Sequence, residues 1–255
     1  MCTLTFAPNE HGFLVGMNRD ELLTRPAAFP PKVLAVGDSE SISPSEPEGG
    51  TWIACNRFGN LLAILNWRCI DPTLLAEKTM SRGFVIPKLI GASDCRSTAN
   101  QFNDLQLTGC FPFRLVGIFP SESAVHQWSW DGVRKGEFAH PWARRNWFSS
   151  SLSDIAAQET RGAVCEAAWN LESVGTESWM RTLHRSHAPE KGPFSICVHR
   201  SDAATVSYTE VDCSTDAISM RYIDGSPCTH QFTPCVTELR RERRPMLDAA
   251  RQIAN

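Results

Sequence analysis

The sequence predicts a single α+β domain that spans residues 1–255. Short apolar segments bounded by turn-forming residues, typical of antiparallel strands, occur in both halves of the chain, and segments with helical spacing lie between them. The chain shows no internal repeat and no linker-like change of composition. Strands with interspersed helices, in a chain long enough for one substantial core, favour a mixed α+β fold.

Two β-hairpins are predicted near the N-terminus. Apolar segments flank a short turn in each, with strands at 2–7 and 13–18 in the first hairpin and at 51–56 and 61–66 in the second. Both turns contain Asn and Gly, which favour a reversal of the chain. Residues 37–50, between the hairpins, are rich in Ser, Pro and Glu and are predicted to form a surface loop.

The rest of the chain alternates predicted helices and strands. Helical character marks the segments 82–104, 160–173 and 176–187, and Thr176 caps the last of these with Glu177 in its first turn. Strand-like composition marks the segments 113–119, 125–130, 194–199, 205–211 and 218–223. Charges of both signs over 237–253 predict a solvated helix, which Pro245 interrupts.

The composition excludes several classes of function. Hydrophobic residues make up 42% of the chain, charged residues 21%, and the net charge is -3, which argues against disorder and against nucleic-acid binding. The longest strongly apolar run, 61–65, is far shorter than the roughly 20 residues of a membrane helix. Residues 1–12 lack the charged and apolar regions of a signal peptide. We therefore expect a cytoplasmic protein with a small-molecule substrate or ligand, no nucleic-acid partner and no membrane span.

Cysteine and histidine spacing predicts no metal site. None of the ten cysteines forms a C-x-x-C pair, so zinc-ribbon and covalent haem motifs are absent. We expect most of the thiols to be reduced and buried, because the chain is long and lacks an export signal. His184 and His187 lie three positions apart on a predicted helix, but no third ligand accompanies them, so we predict a surface pair.

Cys2 is the residue most informative about chemistry. A small side chain at position 2 normally permits removal of Met1, which leaves the cysteine with a free α-amino group. The reference pKa is about 7.7–8.0 for that amine and about 8.5 for a thiol, so one residue supplies both a base and a nucleophile.

The predicted first hairpin brings the charged segment 18–21 to the N-terminus. Antiparallel pairing sets Cys2 opposite Asn18 or Arg19, where facing Cβ atoms lie about 4.5–5.5 Å apart. In this register Arg19 favours the thiolate, and Asp20 holds the ammonium or orients the free amine. The alternative is that Cys2 merely begins an edge strand and the charged cluster forms ordinary surface ion pairs.

Four short motifs stand out in the first 68 residues. They are Met1-Cys2, Asn18-Arg19-Asp20-Glu21 followed by Arg25-Pro26, Gly49-Gly50-Thr51-Trp52, and Leu65-Asn66-Trp67-Arg68. Their order and position resemble the signature of the NRDE family, which includes the transport and Golgi organisation protein 2 homologues. The stretch 197–206 is similar to a later strand region of the same family.

This resemblance implies an Ntn-hydrolase-like four-layer αββα sandwich, in which two antiparallel sheets lie between helical layers. Related cysteine amidases, such as penicillin V acylases and bile salt hydrolases, attack a non-peptide amide with an N-terminal cysteine. Carried over to this chain, the resemblance assigns Cys2 as the nucleophile with Arg19 and Asp20 beside it. Asn66 becomes the candidate oxyanion donor, a role that contributes about 3–4 kcal/mol in acyl transfer.

The resemblance also supplies candidate substrate-binding residues. Asn18, Trp67 and Arg68 come from the motifs, and Ser150 and Arg200 from the later part of the chain. Ser150 occupies the position at which related amidases and many NRDE proteins carry an asparagine, and its shorter side chain weakens oxyanion support from that side. Arg200 matches a late arginine of the family and either binds a substrate carboxylate or ends an exposed strand.

Three functions stay open at the level of the sequence. The first is a hydrolase that needs no cofactor and cleaves the C–N amide bond of a small molecule through an acyl-enzyme on Cys2. The second is a non-catalytic ligand-binding or trafficking protein, because relatives are linked to haem movement and, in eukaryotes, to secretion, Golgi organisation and lipid metabolism. Haem is then a candidate ligand, and Trp128, Trp130, Trp142 and Trp147 are candidates to line an apolar pocket. The third is a structural protein in which the charged cluster only stabilises the first hairpin.

Overall fold

The computed structural model describes residues 1–69, 80–229 and 234–242. These residues form two stacked antiparallel sheets, and helices pack on the outer faces of the sheets. This arrangement is the αββα sandwich implied by the resemblance, and the predicted α+β class is confirmed. In the described part of the chain, no helix is long and apolar enough to cross a membrane.

The first sheet, sheet I, is built around the predicted N-terminal hairpin. Its six strands follow the spatial order β10 (Arg145–Ser149), β1 (Cys2–Asn9), β2 (Gly12–Leu22), β11 (Ala203–Cys213), β12 (Ala217–Asp224) and β13 (Cys235–Arg240). The predicted strands at 205–211 and 218–223 are therefore β11 and β12, which continue the sheet on the far side of the hairpin.

The second sheet, sheet II, is a meander in which each strand pairs with the next along the chain. Its seven strands are β3 (Phe29–Val36), β4 (Ser39–Ser45), β5 (Ile53–Asn56), β6 (Leu61–Asn66), β7 (Phe113–Phe119), β8 (Ala124–Trp130) and β9 (Lys135–His140). The second predicted hairpin is β5 and β6, and the predicted pair at 113–119 and 125–130 is β7 and β8.

Among the described residues, two helices lie against each sheet, and side-chain caps fix where three of the four begin. Helices α1 (Val85–Leu89) and α2 (Cys95–Asp104) pack on sheet II, whereas α3 (Asp154–Ala168) and α4 (Glu177–His184) pack on sheet I. Asp94, Ser153 and Thr176 accept hydrogen bonds from backbone amides in the first turns of α2, α3 and α4. The predicted Thr176 cap is thus confirmed.

The side chains of β1 point alternately into two different hydrophobic cores. Leu4 and Phe6 point between the sheets into the larger core. Ala7 points the other way, into a smaller core formed with α3 and α4. Thr3 and Thr5 share this helical face, and both are fully buried.

Several predicted elements are wrong. Segment 37–50 contains strand β4, whose Ile42 is fully buried and whose serines are small enough to pack beside it. Strand β3 was missed because it contains Pro30 and Pro31, which its position at the sheet edge tolerates. Residues 194–199 form no strand, since only His199 makes an isolated bridge, to Ala204.

The helix predicted for the C-terminal segment is also wrong where the structure describes that segment. The beginning of the predicted solvated helix over 237–253 lies within strand β13, which pairs with β12. Residues 243–253 lie outside the described residues. Strands β9 and β10 and the earlier start of α3, at Asp154 instead of residue 160, were not predicted.

Candidate active site

Strand pairing in sheet I places Cys2 between one residue of β2 and one residue of β10. Cys2 faces Arg19 on β2 and Ser149 on β10. Because β1 has a partner strand on each side, Cys2 begins an interior strand and not an edge strand. The alternation of side chains gives Cys2 the same face as Leu4 and Phe6, the face directed between the sheets.

Cys2 lines a pocket of about 280 Å³. It is 6% exposed, and Met1 lies beside it on the pocket wall with an exposure of 8%. Asn66, the candidate oxyanion donor, lines the same pocket. Among the described residues, the charged side chains of the wall are Arg19, Arg25, Arg82, Glu21 and Glu46. Asp20 also borders the pocket, but its carboxylate is directed away from it. The candidate nucleophile and the candidate oxyanion donor are therefore brought to one polar cavity.

Burial and nearby charges have opposite effects on the Cys2 thiol. Burial is the largest influence and raises its pKa, and the carboxylate of Asp20 acts in the same direction. The N-terminal ammonium and the Arg19 guanidinium lower the pKa of the Cys2 thiol but do not outweigh burial. Arg19 therefore acts in favour of the thiolate, within an environment that on balance favours the neutral thiol.

Arg19 is held at the pocket by an ion pair and an aromatic ring. Its Nη2 lies 2.6 Å from Glu46 Oε1, and its guanidinium lies 4.5 Å from the centroid of the Trp52 ring. Both partners line the same pocket. Because the Arg19 side chain is almost completely buried, this pairing is desolvated and fixes the position of the positive charge.

Asp20 points to the opposite face of the hairpin, where it meets a buried arginine. Its Oδ1 accepts a hydrogen bond of 2.6 Å from Thr205 Oγ1, and its Oδ2 lies 3.7 Å from Arg161 Nη1. Both charged side chains are fully buried. Burial raises the pKa of Asp20, whereas Arg161 and the Thr205 hydroxyl act to lower it.

Arg161 ties helix α3 to the first residues of the chain. Its Nη1 donates to Thr3 Oγ1 at 3.0 Å and to the backbone oxygens of Cys2 and Ser149, each at 3.4 Å. Its Nη2 donates to Pro193 O. Arg161 is therefore a positioning residue that fixes the strand end carrying Cys2.

The backbone nitrogen of Cys2 has a dedicated acceptor. It donates a hydrogen bond of 2.8 Å to Ser149 Oγ, a fully buried hydroxyl. The Met1 amine instead donates to Asp20 O at 2.9 Å, and Met1 O accepts from the Asp20 amide at 2.8 Å. Removal of Met1 would convert the Cys2 nitrogen into the terminal amine while leaving the Ser149 hydroxyl beside it.

Ser150 and Arg200 lie close to the N-terminus, with partners of their own. The hydroxyl of Ser150 accepts from the amides of Leu152 and Ser153, so it closes the turn that leads into α3. Arg200 Nη1 lies 3.9 Å from Met1 Sδ, and the same guanidinium is paired with Asp202.

Three other candidate substrate-binding residues lie away from the pocket wall. Trp67 donates its amide to Pro112 O. Arg68 donates its amide to Asp154 Oδ2, and its guanidinium contacts Ser151 O, so it links the end of β6 to the start of α3. Asn18 points towards α4 on the opposite face of sheet I.

Asn18 instead belongs to a buried polar cluster with His184. Its Nδ2 donates to His184 O and Ile196 O, each at 2.9 Å, which leaves its Oδ1 to accept from His184 Nδ1 at 3.1 Å. His184 Nε2 then accepts from Thr5 Oγ1 at 3.0 Å. Burial lowers the pKa of His184 to about 3, which keeps the ring neutral.

The predicted surface pair of histidines is wrong. His184 is fully buried in the cluster just described. His187, beyond the end of α4, lies with Cys197, His199 and Cys228 in a group whose ligand atoms are all within 4.8 Å of one another. Sequence spacing did not reveal this group because its members come from three separate segments.

Sequence reasoning also missed Ser149 and Arg161. Ser149 is recognisable only once β10 is known to pair with β1. Arg161 carried a usable signal, because it lies four residues from Ala157 and from Cys165 on the buried face of α3. Placing the start of the helix at residue 160 obscured that periodicity.

Comparisons with known proteins agree with this fold. The sequence profile described as Transport and Golgi organisation 2 matches residues 1–129. Penicillin V acylase from Agrobacterium tumefaciens is similar in structure, with a TM-score of 0.50, 9% sequence identity, and coverage of 94% of this chain and 86% of that chain. A mutant conjugated bile acid hydrolase from Clostridium perfringens gives a TM-score of 0.51, 9% identity, and coverage of 94% and 92%. No curated protein matches this sequence. At such low identity the structural similarity establishes the fold, which is that of Ntn hydrolases.

Proposed function

Since this chain belongs to the Transport and Golgi organisation 2 family and has an Ntn-hydrolase fold, we propose that it is a thiol-dependent amidohydrolase of small molecules. The observation that carries the proposal is the position of Cys2. It lines a charged pocket, and its backbone nitrogen donates a hydrogen bond to Ser149 Oγ. The reaction is hydrolysis of a non-peptide C–N amide bond through an acyl-enzyme on Cys2.

The first step uses both functional groups of Cys2. After removal of Met1, the free α-amine takes the thiol proton, and the resulting thiolate attacks the amide carbon of the substrate. Ser149 Oγ, which lies 2.8 Å from the Cys2 nitrogen, holds the amine in place. Arg19 stabilises the developing thiolate, in the direction of its effect on the pKa of the Cys2 thiol.

The second step breaks the C–N bond. Attack forms a C–S bond and places a negative charge on the carbonyl oxygen, for which Asn66 is the candidate hydrogen-bond donor. The protonated α-amine returns its proton to the leaving nitrogen, and the amine product departs. Water, deprotonated by the same amine, then attacks the thioester, and the carboxylic acid is released as Cys2 regains its proton.

The pocket favours a small and polar substrate. Its volume of about 280 Å³ lies near the lower end of ligand-binding sites, which run from roughly 300 to 1,000 Å³. Arg82, which lines the pocket, has no carboxylate within salt-bridge distance among the described residues. A negatively charged group on the substrate would find a partner there.

A carrier without chemistry is the competing function. The tryptophans expected to line an apolar ligand pocket do not line the Cys2 pocket. Trp128, Trp130 and Trp147 are buried in the core, and Trp142 packs against Phe6 and Phe13. A haem site therefore has less support from the described residues than a site for a small polar amide.

Hydrolysis assays with a matched pair of cysteine variants test the proposal. Purified protein is incubated with penicillin V, a conjugated bile acid and a panel of short N-acyl amides, and release of the amine is measured. We expect turnover of at least one amide by the wild type and by C235S, because Cys235 is exposed. Turnover should be abolished in C2A.

Measurements of ligand binding distinguish between an enzyme and a carrier. Any amide that is cleaved should still bind to C2A, because the pocket wall is otherwise unchanged. Turnover by C2A equal to that of the wild type would refute the proposal. Tight haem binding that is unchanged by C2A, with no amide cleaved by the wild type, would favour the carrier.

A further inference from the structure

Four side chains of metal-binding type lie close together at the loop that precedes β11. His187 follows α4, Cys197 and His199 lie in the loop, and Cys228 follows β12. One ligand atom from each residue lies within 4.8 Å of the other three. The amidohydrolase mechanism uses none of these residues.

The spacing of these atoms fits a tetrahedral metal. Metal bonds of about 2.0–2.3 Å, typical of zinc with nitrogen and sulfur, give tetrahedron edges of roughly 3.3–3.8 Å. Cys197 Sγ lies 3.6 Å from His199 Nε2, and His199 Nε2 lies 3.2 Å from Cys228 Sγ. Small side-chain rotations would bring all four atoms to one centre.

A buried ring nitrogen in the cluster also points to a metal. Among the described residues, the Nε2 atom of His187 is buried and has no hydrogen-bond partner. A buried ring nitrogen without a partner is costly unless another group satisfies it.

We propose that His187, Cys197, His199 and Cys228 bind one Zn²⁺ in a closed, tetrahedral, structural site. Two imidazoles and two thiolates are a ligand set typical of zinc, and four protein ligands leave no open position for a substrate. Binding releases one proton from each thiol, and the two thiolates neutralise the charge of the ion. The resulting neutral centre is compatible with its partly buried surroundings.

The metal would fasten a loop that supports the strands around Cys2. Between His187 and His199, Pro193 O accepts from Arg161 and Ile196 O accepts from Asn18. This stretch has no helix or strand of its own. Cross-linking it to the end of α4 and to the segment after β12 would hold those two acceptors in position.

Metal analysis of the purified protein tests the site. The protein is purified without a metal-affinity step, given ZnSO4, dialysed and assayed for zinc. We expect about one Zn²⁺ per chain in the wild type and in C235S, and loss of that zinc in C228A and H199A. Replacement of zinc by Co²⁺ should produce the visible absorption of a tetrahedral cobalt centre with thiolate ligands.

Alkylation of the wild type provides a second readout that does not depend on folding of the variants. Bound zinc should protect Cys197 and Cys228 from alkylation, and a chelator should remove the protection, whereas Cys235 should react equally in both states. Absence of stoichiometric zinc, or zinc content unchanged in C228A and H199A, would overturn the proposal. A Cys197–Cys228 disulfide in zinc-free protein that persists when reductant and zinc are supplied would also overturn it.

Discussion

At the scale of single residues, the site depends on a cysteine whose environment opposes its own ionisation. Burial raises the pKa of the Cys2 thiol, and Arg19 only partly offsets this effect. An isolated thiol in this position would be a poor nucleophile at neutral pH. In the proposed mechanism a base on the same residue resolves the difficulty, because the proton moves only to the adjacent α-amine.

Replacing Arg19 should make Cys2 less reactive. Arg19 lowers the pKa of the Cys2 thiol, so R19Q should raise that pKa and shift the pH profile of Cys2 alkylation to higher pH. Rates are measured at Cys2 by mass spectrometry across pH 6 to 10. R25Q is the control, because Arg25 is half exposed and is not among the main charges that influence Cys2. An unchanged profile in R19Q would show that Arg19 does not stabilise the thiolate.

His184 should make the protein less stable in acid. Its pKa is lowered to about 3 in the folded state, whereas a histidine in an unfolded chain titrates near 6.5. Below about pH 6 the unfolded chain therefore takes up a proton that the folded chain does not. Stability present above that pH is lost as the pH falls, by about 1.4 kcal/mol for each pH unit between 6 and 4.

Denaturant unfolding of H184Q checks this prediction. Glutamine does not titrate, so the free energy of unfolding should depend less steeply on pH in H184Q than in the wild type. H11Q, which alters an exposed histidine, should retain the wild-type slope. Equal slopes in H184Q and the wild type would mean that His184 is not the buried neutral group described here.

At the scale of the elements, helix α4 packs very closely against strand β2 of the N-terminal hairpin. Gly16 of β2 lies directly under α4, and a Cβ atom there would be 2.7 Å from Met180 Sδ and 2.8 Å from the His184 ring. The absence of a side chain at this position lets β2 pack closely enough for Asn18 to reach His184.

Two glycine-to-alanine substitutions should have opposite effects. G16A should lower the free energy of unfolding by about 1–3 kcal/mol, because the new methyl group overlaps two packed side chains. G162A should raise it by up to about 1 kcal/mol, because Gly162 lies within α3 and its Cβ would make only an ordinary contact of 3.6 Å. Thermal or denaturant unfolding of both variants measures the difference, and a neutral G16A would contradict the close packing.

Local sequence signals account for the elements that were predicted correctly. The turn between β1 and β2, and the one between β5 and β6, contain residues that favour chain reversal, and their flanking strands are apolar. Strands β3 and β4 lack such a signal. Two prolines interrupt the apolar residues of β3, serines make up much of β4, and the pairing of both strands with the sheet decides their conformation.

At the scale of the whole molecule, the candidate site combines one local motif with partners that are far away in sequence. Cys2 and Arg19 were predictable because a single hairpin brings them together. Ser149 and Arg161 lie more than 140 residues from Cys2 and reach it only through the pairing of β10 with β1 and the packing of α3. The periodicity of α3 marks Arg161 as buried, but no local pattern in the sequence encodes its contact or that of Ser149 with Cys2. Both contacts became visible only in the folded chain.

The most direct test of the central claim is the state and reactivity of the N-terminus. Mass spectrometry of the purified protein gives the mass of the N-terminal peptide and the alkylation rate of each of the ten cysteines near neutral pH. We predict that Met1 is absent and that Cys2 reacts faster than the exposed Cys69 and Cys235, despite its burial, because its own amine accepts the thiol proton. Retention of Met1, or a Cys2 that reacts no faster than those two exposed thiols, would contradict the assignment of Cys2 as an N-terminal nucleophile.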